Sequence, residues 1–269
     1  MNILLPTDFS ENAELATEIA FDLAAKGKGT VTVFHAYDLP YSDRSMSTSL
    51  LDVMKENAEN NMAELEKKLK EKYPLNFKTL VRLGNPIRLI TETSNLDEID
   101  LIVMGTKGAS GLEEILIGSN AASVIQNCNK PVLIIPPETK LANINKIVFA
   151  CDLDPKVKEQ PLQRLARFAK LTGASIDLVH VQNDKTSAPK DGSRQFYSTN
   201  LGDVPHEFTI LREENVEHAI TAEAEKENAD IVAAISKRYN FIEGLFHRSM
   251  TSKLAYHTRL PLLVLHEPK

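Results

Sequence analysis

Along this chain apolar runs of four to seven residues alternate with longer stretches in which apolar positions recur at helical spacing. Ile3-Leu4-Leu5 predicts a short strand, closed by the turn Pro6-Thr7-Asp8-Phe9. Ser10 stands where a helix N-cap is expected, and Ala13, Ala16, Ile19, Ala20, Leu23 and Ala24 then give one apolar helix face. Gly27 and Gly29 are placed to end that helix. Val31–His35 predicts the second strand, and Leu51, Met54, Ala58, Met62, Leu65 and Leu69 trace a long helix. Phe77–Leu83 reads as a third strand, stopped by Gly84-Asn85-Pro86, with a short helix over Pro86–Asn95. Leu101–Met104 is a fourth strand, Ser119–Asn127 a helix with Ser119 as its N-cap, and Val132–Ile135 a fifth strand. Strands spaced this way by helices imply βαβ crossovers and a parallel sheet covered on both faces.

The pattern then repeats. At an offset of 130 residues, Asp100-Leu101-Ile102-Val103 lies over Asp230-Ile231-Val232-Ala233, Ser119 over Ser249, and Pro131 over Pro261. Arg82 and Asn85 fall on Arg212 and Asn215 at the same offset. Near the start of each half the offset is larger, with Asp8 on Asp152 at 144 and His35 on His180 at 145. The second half is therefore about 15 residues shorter between its second and third strands. Two domains are expected, 1–137 and 144–269, meeting where Pro136-Pro137 stops a strand. In the second, Lys146–Cys151, Ile176–Val181, Phe208–Leu211, Ile231–Ile235 and Leu262–Leu265 read as strands, and Leu162, Leu165, Ala166 and Ala169 mark the first helix. The polar stretch Asp184–Val204 reads as a loop or one irregular turn, and as the most mobile part of the chain.

Composition narrows the class. A 269-residue chain with 42% hydrophobic and 25% charged residues has the make-up of a soluble globular protein. Its net charge of −6 argues against a nucleic-acid-binding surface. No apolar run reaches the ~18–20 residues of a membrane span, and no signal peptide precedes the first strand. Cys128 and Cys151 do not make a disulfide framework, so the expected setting is cytoplasmic and reduced. No His/Cys cluster has zinc spacing.

The candidate chemistry lies at one strand–helix junction. Gly105-Thr106-Lys107-Gly108 follows the fourth strand, and Gly118-Ser119 opens the next helix. Glycines there let the backbone approach an anion, and a helix N-terminus adds unpaired N–H groups and a positive dipole end. Such a junction reads as a phosphate cradle. GxxxxGK[ST] and GxGxxG are both absent. In parallel sheets, ligands bind at strand C-termini near the switch in strand order, so Thr7-Asp8 and Met104-Gly105 can share one cleft.

With those residues assembled, the chain resembles the universal stress proteins, in the arrangement with two such domains in one polypeptide. The motifs that carry the resemblance are Ile3-Leu4-Leu5-Pro6-Thr7-Asp8-Phe9-Ser10, Val103-Met104-Gly105-Thr106-Lys107-Gly108-Ala109-Ser110-Gly111, Gly118-Ser119-Asn120-Ala121 and Lys130-Pro131-Val132-Leu133-Ile134. The family's signature G-x₂-G-x₉-G-[ST] is matched by Gly105, Gly108, Gly118 and Ser119. The resemblance implies, for each half, an α/β domain with a five-stranded parallel sheet flanked by helices, of the adenine nucleotide α-hydrolase type. It further implies binding of ATP or a related adenine nucleotide, with or without Mg. On that basis Pro6 and Thr7 would line the base pocket, Asp8 would sit near the ribose, and the backbone of Ala36 would meet adenine. Gly105, Lys107, Gly108, Gly118, Ser119 and Asn120 would surround the phosphates, with Met104 beside them. The role implied is a regulatory binding module with at most slow hydrolysis. An adenine-nucleotide enzyme on this scaffold and a nucleotide-free scaffold are the alternatives.

Each residue also has a plainer reading. Asp8 can serve as an N-terminal helix charge, Gly105 and Gly108 as a turn, and Ser119 as a cap alone. His35 and His180 read as packing or hydrogen-bonding residues, and Cys151 as an inert buried thiol. The second half departs from the motif: Ile235, Arg238 and Arg248 replace Gly105, Gly108 and Gly118, and Ala150 replaces Pro6. A branched Ile at that place is expected to occlude the cradle, leaving this half without a nucleotide. Lys237, Arg238 and Arg248 leave open an anion site of another kind. The second half then reads as a built-in partner, with Val132–Ile135 and Leu262–Leu265 paired antiparallel in an intramolecular pseudo-dimer. A homodimer of whole chains is left open.

Overall fold

The computed structural model describes residues 1–38, 48–96, 98–106, 118–137, 139–140, 143–183, 188–236 and 259–268. The first half runs β1 (Ile3–Pro6), α1 (Glu11–Lys26), β2 (Val31–Tyr37), α2 (Thr48–Lys72), β3 (Phe77–Leu83), α3 (Pro86–Ser94), β4 (Leu101–Gly105), α4 (Ser119–Asn127) and β5 (Val132–Ile135). The second runs β6 (Lys146–Ala150), α5 (Glu159–Thr172), β7 (Ser175–Gln182), α6 (Ser193–Leu201), β8 (His206–Arg212), α7 (Val216–Lys226), β9 (Ile231–Ser236) and β10 (Leu262–His266). All ten strands join one sheet in the order β3-β2-β1-β4-β5-β10-β9-β6-β7-β8. Pairing is parallel within each half. It is antiparallel where β5 meets β10, with Leu133 opposite Leu263.

Alternation along the strands divides the core into two layers. Ile3, Leu5, Leu101, Val103, Leu133 and Ile135 face α1, α2, α5 and α6. Leu4, Ile102, Val132 and Ile134 face α3, α4 and α7. Strands buried on both faces explain the unbroken apolar runs. The same local devices recur in both halves. Asn85 caps α3 by accepting the Arg88 amide at 3.0 Å, and Asn215 caps α7 by accepting the His218 amide at 3.1 Å. Asp100 accepts the Asn2 amide at 2.9 Å, while Asp230 accepts those of Asn145 and Lys146 at 2.7 and 3.0 Å.

One contact across the seam has no such counterpart. The buried His266 ring places Nε2 2.7 Å from the Ile125 carbonyl, in the last turn of α4, and Nδ1 2.9 Å from that of Lys130. Carbonyls only accept, so the ring serves both only when each nitrogen carries a proton. Pro136 stands at the corresponding place in the first half.

Two sequence expectations need correction, and a third gains detail. Ser193–Leu201, inside the stretch read as a loop, is the helix α6, because Tyr197 and Leu201 are each buried to 1% exposure. It is 9 residues long where α2 has 25, and this is where the second half is shorter. α1 ends at Gly27 as expected, the Gly27 amide bonding back to the Leu23 carbonyl at 3.0 Å, and the left-handed residue just beyond is Lys28, at φ 49°. Gly27 and Gly29 also make room for the N-terminus: a Cβ on Gly29 would lie 2.0 Å from the Met1 carbonyl oxygen. Finally, Gly118 is the N-cap of α4 and makes no side-chain capping bond, so Ser119 is the first helical residue. No helix among the described residues is long and apolar enough to cross a membrane.

Candidate functional site

The carboxyl ends of β1, β2 and β4 open onto a cleft completed by the N-termini of α3 and α4. Pro6, Thr7, Asp8, Ala36, Met104, Gly105, Gly118, Ser119 and Asn120 all line it. Nine residues singled out from sequence therefore share one hollow. Lys107 and Gly108 lie outside the described residues. The lower wall is apolar, built from Pro6, Phe34, Ala36, Pro86, Ile90 and Met104. Pro86, Ile90 and Phe34 carry no motif signal, and only the placement of α3 against β2 brings them in.

The opposite end is polar. Ser119 and Asn120 are exposed at the start of α4, where unpaired amides and the positive dipole end face the cleft. Thr106 closes this end. It is 3% exposed, and its Oγ1 is buried without a hydrogen-bond partner among the described residues. The sequence motif contains Thr106 but gives no reason to select it.

Asp8 is exposed, and its Oδ1 accepts from the Ser10 amide at 3.1 Å and hydroxyl at 2.6 Å. Ser10 in turn caps α1, accepting the Ala13 amide at 3.3 Å. A carboxylate has lone pairs for further donors, so this bracing orients Asp8 without exhausting it. His35 donates from Nδ1 to the Thr7 carbonyl at 2.8 Å and packs on the Phe9 ring at 4.5 Å. Phe9 holds φ 62°, a costly conformation for a side chain of this size, and Leu153 holds φ 46° at the matching place in the second half. The turn after the first strand is thus built the same way twice.

The two motif glycines have structural reasons that sequence reasoning did not supply. A Cβ on Gly105 would lie 2.5 Å from Asn12 Oδ1. Asn12 cannot yield easily, since its Nδ2 donates to the Ile135 carbonyl at 3.1 Å. A Cβ on Gly118 would lie 2.7 Å from the Thr106 carbonyl, which accepts the Gly118 amide at 2.5 Å. Gly105 therefore admits α1, and Gly118 admits the close approach of the Thr106 carbonyl. Neither has a positive φ.

This changes the argument about Ile235. Its side chain packs against the layer holding α5, the face on which Gly105 meets α1, so it is not aimed at the cradle as expected. The second half differs at the strand end. Cys151 and His180 replace Thr7 and His35, with His180 only 2% exposed and its Nδ1 3.2 Å from the Cys151 carbonyl. Arg238 and Arg248 lie outside the described residues. Among the described residues no group of His, Cys, Asp and Glu could hold a metal ion.

Comparison with known proteins decides the family. The sequence profile of the universal stress protein family matches this chain twice, over residues 1–136 and 143–266. The chain belongs to the universal stress protein family. Two universal stress proteins of Methanocaldococcus jannaschii are among its relatives. One is 30% identical over 151 residues, spanning 49% of this chain and 93% of the relative. The other is 32% identical over 142 residues, spanning 51% of this chain and 83% of the relative. A universal stress protein of Archaeoglobus fulgidus has the same fold along its length. It superposes with a TM-score of 0.79 over 99% of this chain and 98% of its own, at 22% identity. The tandem arrangement of two such domains is thus a feature this chain shares with a solved structure.

Proposed function

We propose that the first half binds an adenine nucleotide, ATP or a close relative, in the cleft between Asp8 and Gly118, and works as a regulatory binding module. The observation that carries this reading is the division of the cleft. An apolar slot bounded by Pro6, Ala36, Ile90 and Met104 suits a flat ring, and the N-terminus of α4, with Ser119 and Asn120 exposed, suits phosphate oxygens. Asp8 stands where a carboxylate can accept from paired sugar hydroxyls. Ser119 and Asn120 supply neutral donors to the phosphates.

The second half, taken as domain 144–269, serves in this reading as a built-in partner. Its β10 covers the β5 edge that would otherwise be an exposed apolar strand. The whole is an intramolecular pseudo-dimer with one nucleotide cleft.

Titration of the full chain with ATP, beside Asp8→Asn and Ser119→Ala, tests the reading. Gly118→Val alone is a poor probe, because its clash with the Thr106 carbonyl would disturb the loop base whether or not phosphate binds there. Saturable binding that each of the two milder variants weakens about tenfold is expected, from one lost charge-assisted hydrogen bond. Affinity unchanged in both variants would remove the assigned cleft. Turnover above about 1 s⁻¹, the low end for enzymes, would replace the binding role with catalysis.

A further inference from the structure

A second hollow, of about 300 Å³, lies in the seam between the halves. It sits at the amino ends of β4 and β5, with Leu101 and Pro131 in its wall, at the sheet edge opposite the nucleotide cleft. The α5 helix of the second half forms its other side. In a chain of net charge −6, this cavity is lined by Lys130, Arg164 and Arg167 against the single carboxylate of Asp100.

That carboxylate is not there for the arginines. Its Oδ2 holds the Asn2 amide at the strand end, and Asp230 does the same service in the second half. Arg167 reaches Asp100 only at 3.9 Å. Among the described residues neither Lys130 nor Arg164 forms an ion pair within 4.0 Å; Arg164 donates from Nη1 to the Asn129 carbonyl at 3.0 Å. Burial and then the neighbouring Arg167 disfavour the Arg164 charge, lowering its pKa, and Asp100 opposes them without cancelling them. The half-buried Arg164 guanidinium, without a carboxylate partner among the described residues, is matched to an anion from outside, and the exposed Arg167 one turn away adds its charge at the rim. Gln160 and Gln163 add neutral donors at the rim, and Phe168, Leu263 and Leu265 form an apolar floor.

The site is one-sided. The pseudo-symmetric place of Lys130 is Leu260, so the duplicated fold does not require this charge. From these observations we infer that the seam cavity binds a small phosphorylated organic anion, its phosphate held by Arg164, Arg167 and Lys130 and its body resting on the Leu263–Leu265 floor. Two forked guanidiniums one helical turn apart suit phosphate oxygens. The volume exceeds what a bare phosphate needs and falls at the small end of ligand pockets. A ligand here touches both halves, across the same seam that His266 ties.

The inference is independent of the nucleotide reading, and its test keeps the two apart. The full chain is titrated calorimetrically with inorganic pyrophosphate, and in a parallel arm with citrate. Saturable pyrophosphate binding is expected, weakened about tenfold or more by Arg164→Gln with Arg167→Gln and several-fold by Lys130→Gln. It should be unchanged in Asp8→Asn and Ser119→Ala, which probe the other cleft. Thermal melts of each variant separate lost binding from lost folding, and Lys130→Gln leaves the Arg164–Asn129 seam bond in place. Absence of saturable binding would overturn the site, as would equal binding by the charge variants or loss of binding in the cleft variants. Citrate binding without pyrophosphate binding would overturn the phosphate assignment.

Discussion

The carboxyl ends of β1 and β6 descend from one plan and have come to different surfaces. Both carry an Asp after the strand, a left-handed apolar residue next, and a histidine bonded to the strand-end carbonyl. In the first half this frame surrounds an open cleft. In the second the frame carries Cys151 and the buried His180 in place of Thr7 and the half-buried His35. The comparison separates what builds the fold from what opens a site. Caps, αL turns and strand-end carboxylates are kept in both copies because each copy must fold. Gly105 is found in one copy only, where it admits α1, and Ala36, where the second half has Val181, is the smaller residue at the cleft.

Exchanging residues between the halves gives the sharpest tests. Gly105→Ile writes the second half's residue into the first, and its Cβ meets Asn12 at 2.5 Å. A loss of about 3 kcal/mol in chemical denaturation is expected, at the high end for overpacking. Combining it with Asn12→Ala should return part of that loss; full stability in the single variant would show that the glycine is not required by α1. Next in size is His266→Leu, which abandons the carbonyls of Ile125 and Lys130 at the seam. About 2 kcal/mol should be lost, and no loss would mean that water or rearrangement satisfies both carbonyls.

The repeated caps make a matched pair. Asn85→Ala and Asn215→Ala should each cost about 1 kcal/mol, and a large inequality between them would show that the halves do not share this device energetically. The smallest effect is expected at Asp177, which stands on β7 where β2 has Thr32. It is 1% exposed, with Oδ1 unpartnered, and burial holds its carboxyl above the ordinary range against a hydrogen bond from Thr209. A raised native value means stability falls as pH rises from the ordinary carboxylate range through that value. Asp177→Asn removes the loss. It should stabilise the protein by under about 1 kcal/mol at pH 7, and the gain should vanish in acid. A gain that persists in acid would point to packing instead of charge.

Much of this architecture was legible in the hydrophobic pattern. β3 and α4 carry the bounds their periodicity predicts, because Gly84-Asn85-Pro86 and Gly118 punctuate them sharply. The repeat offset located the shorter connection of the second half, but its polar residues hid α6, whose only strong signal is Tyr197 and Leu201 one helical turn apart. The cleft's polar residues were legible because they sit in a spaced motif. Its apolar wall was not: Phe34, Pro86 and Ile90 reach it through the packing of α3, which no local spacing encodes. The glycines were found for a partly mistaken reason. Spacing marks where a Cβ is excluded; only the fold shows that Asn12 and the Thr106 carbonyl do the excluding.

The central claim is one nucleotide cleft in a twice-built fold. Equilibrium dialysis of the full chain against labelled ATP counts the sites directly. One equivalent bound per chain, lowered in affinity by Ser119→Ala, is the predicted result; two equivalents, or none, would contradict it.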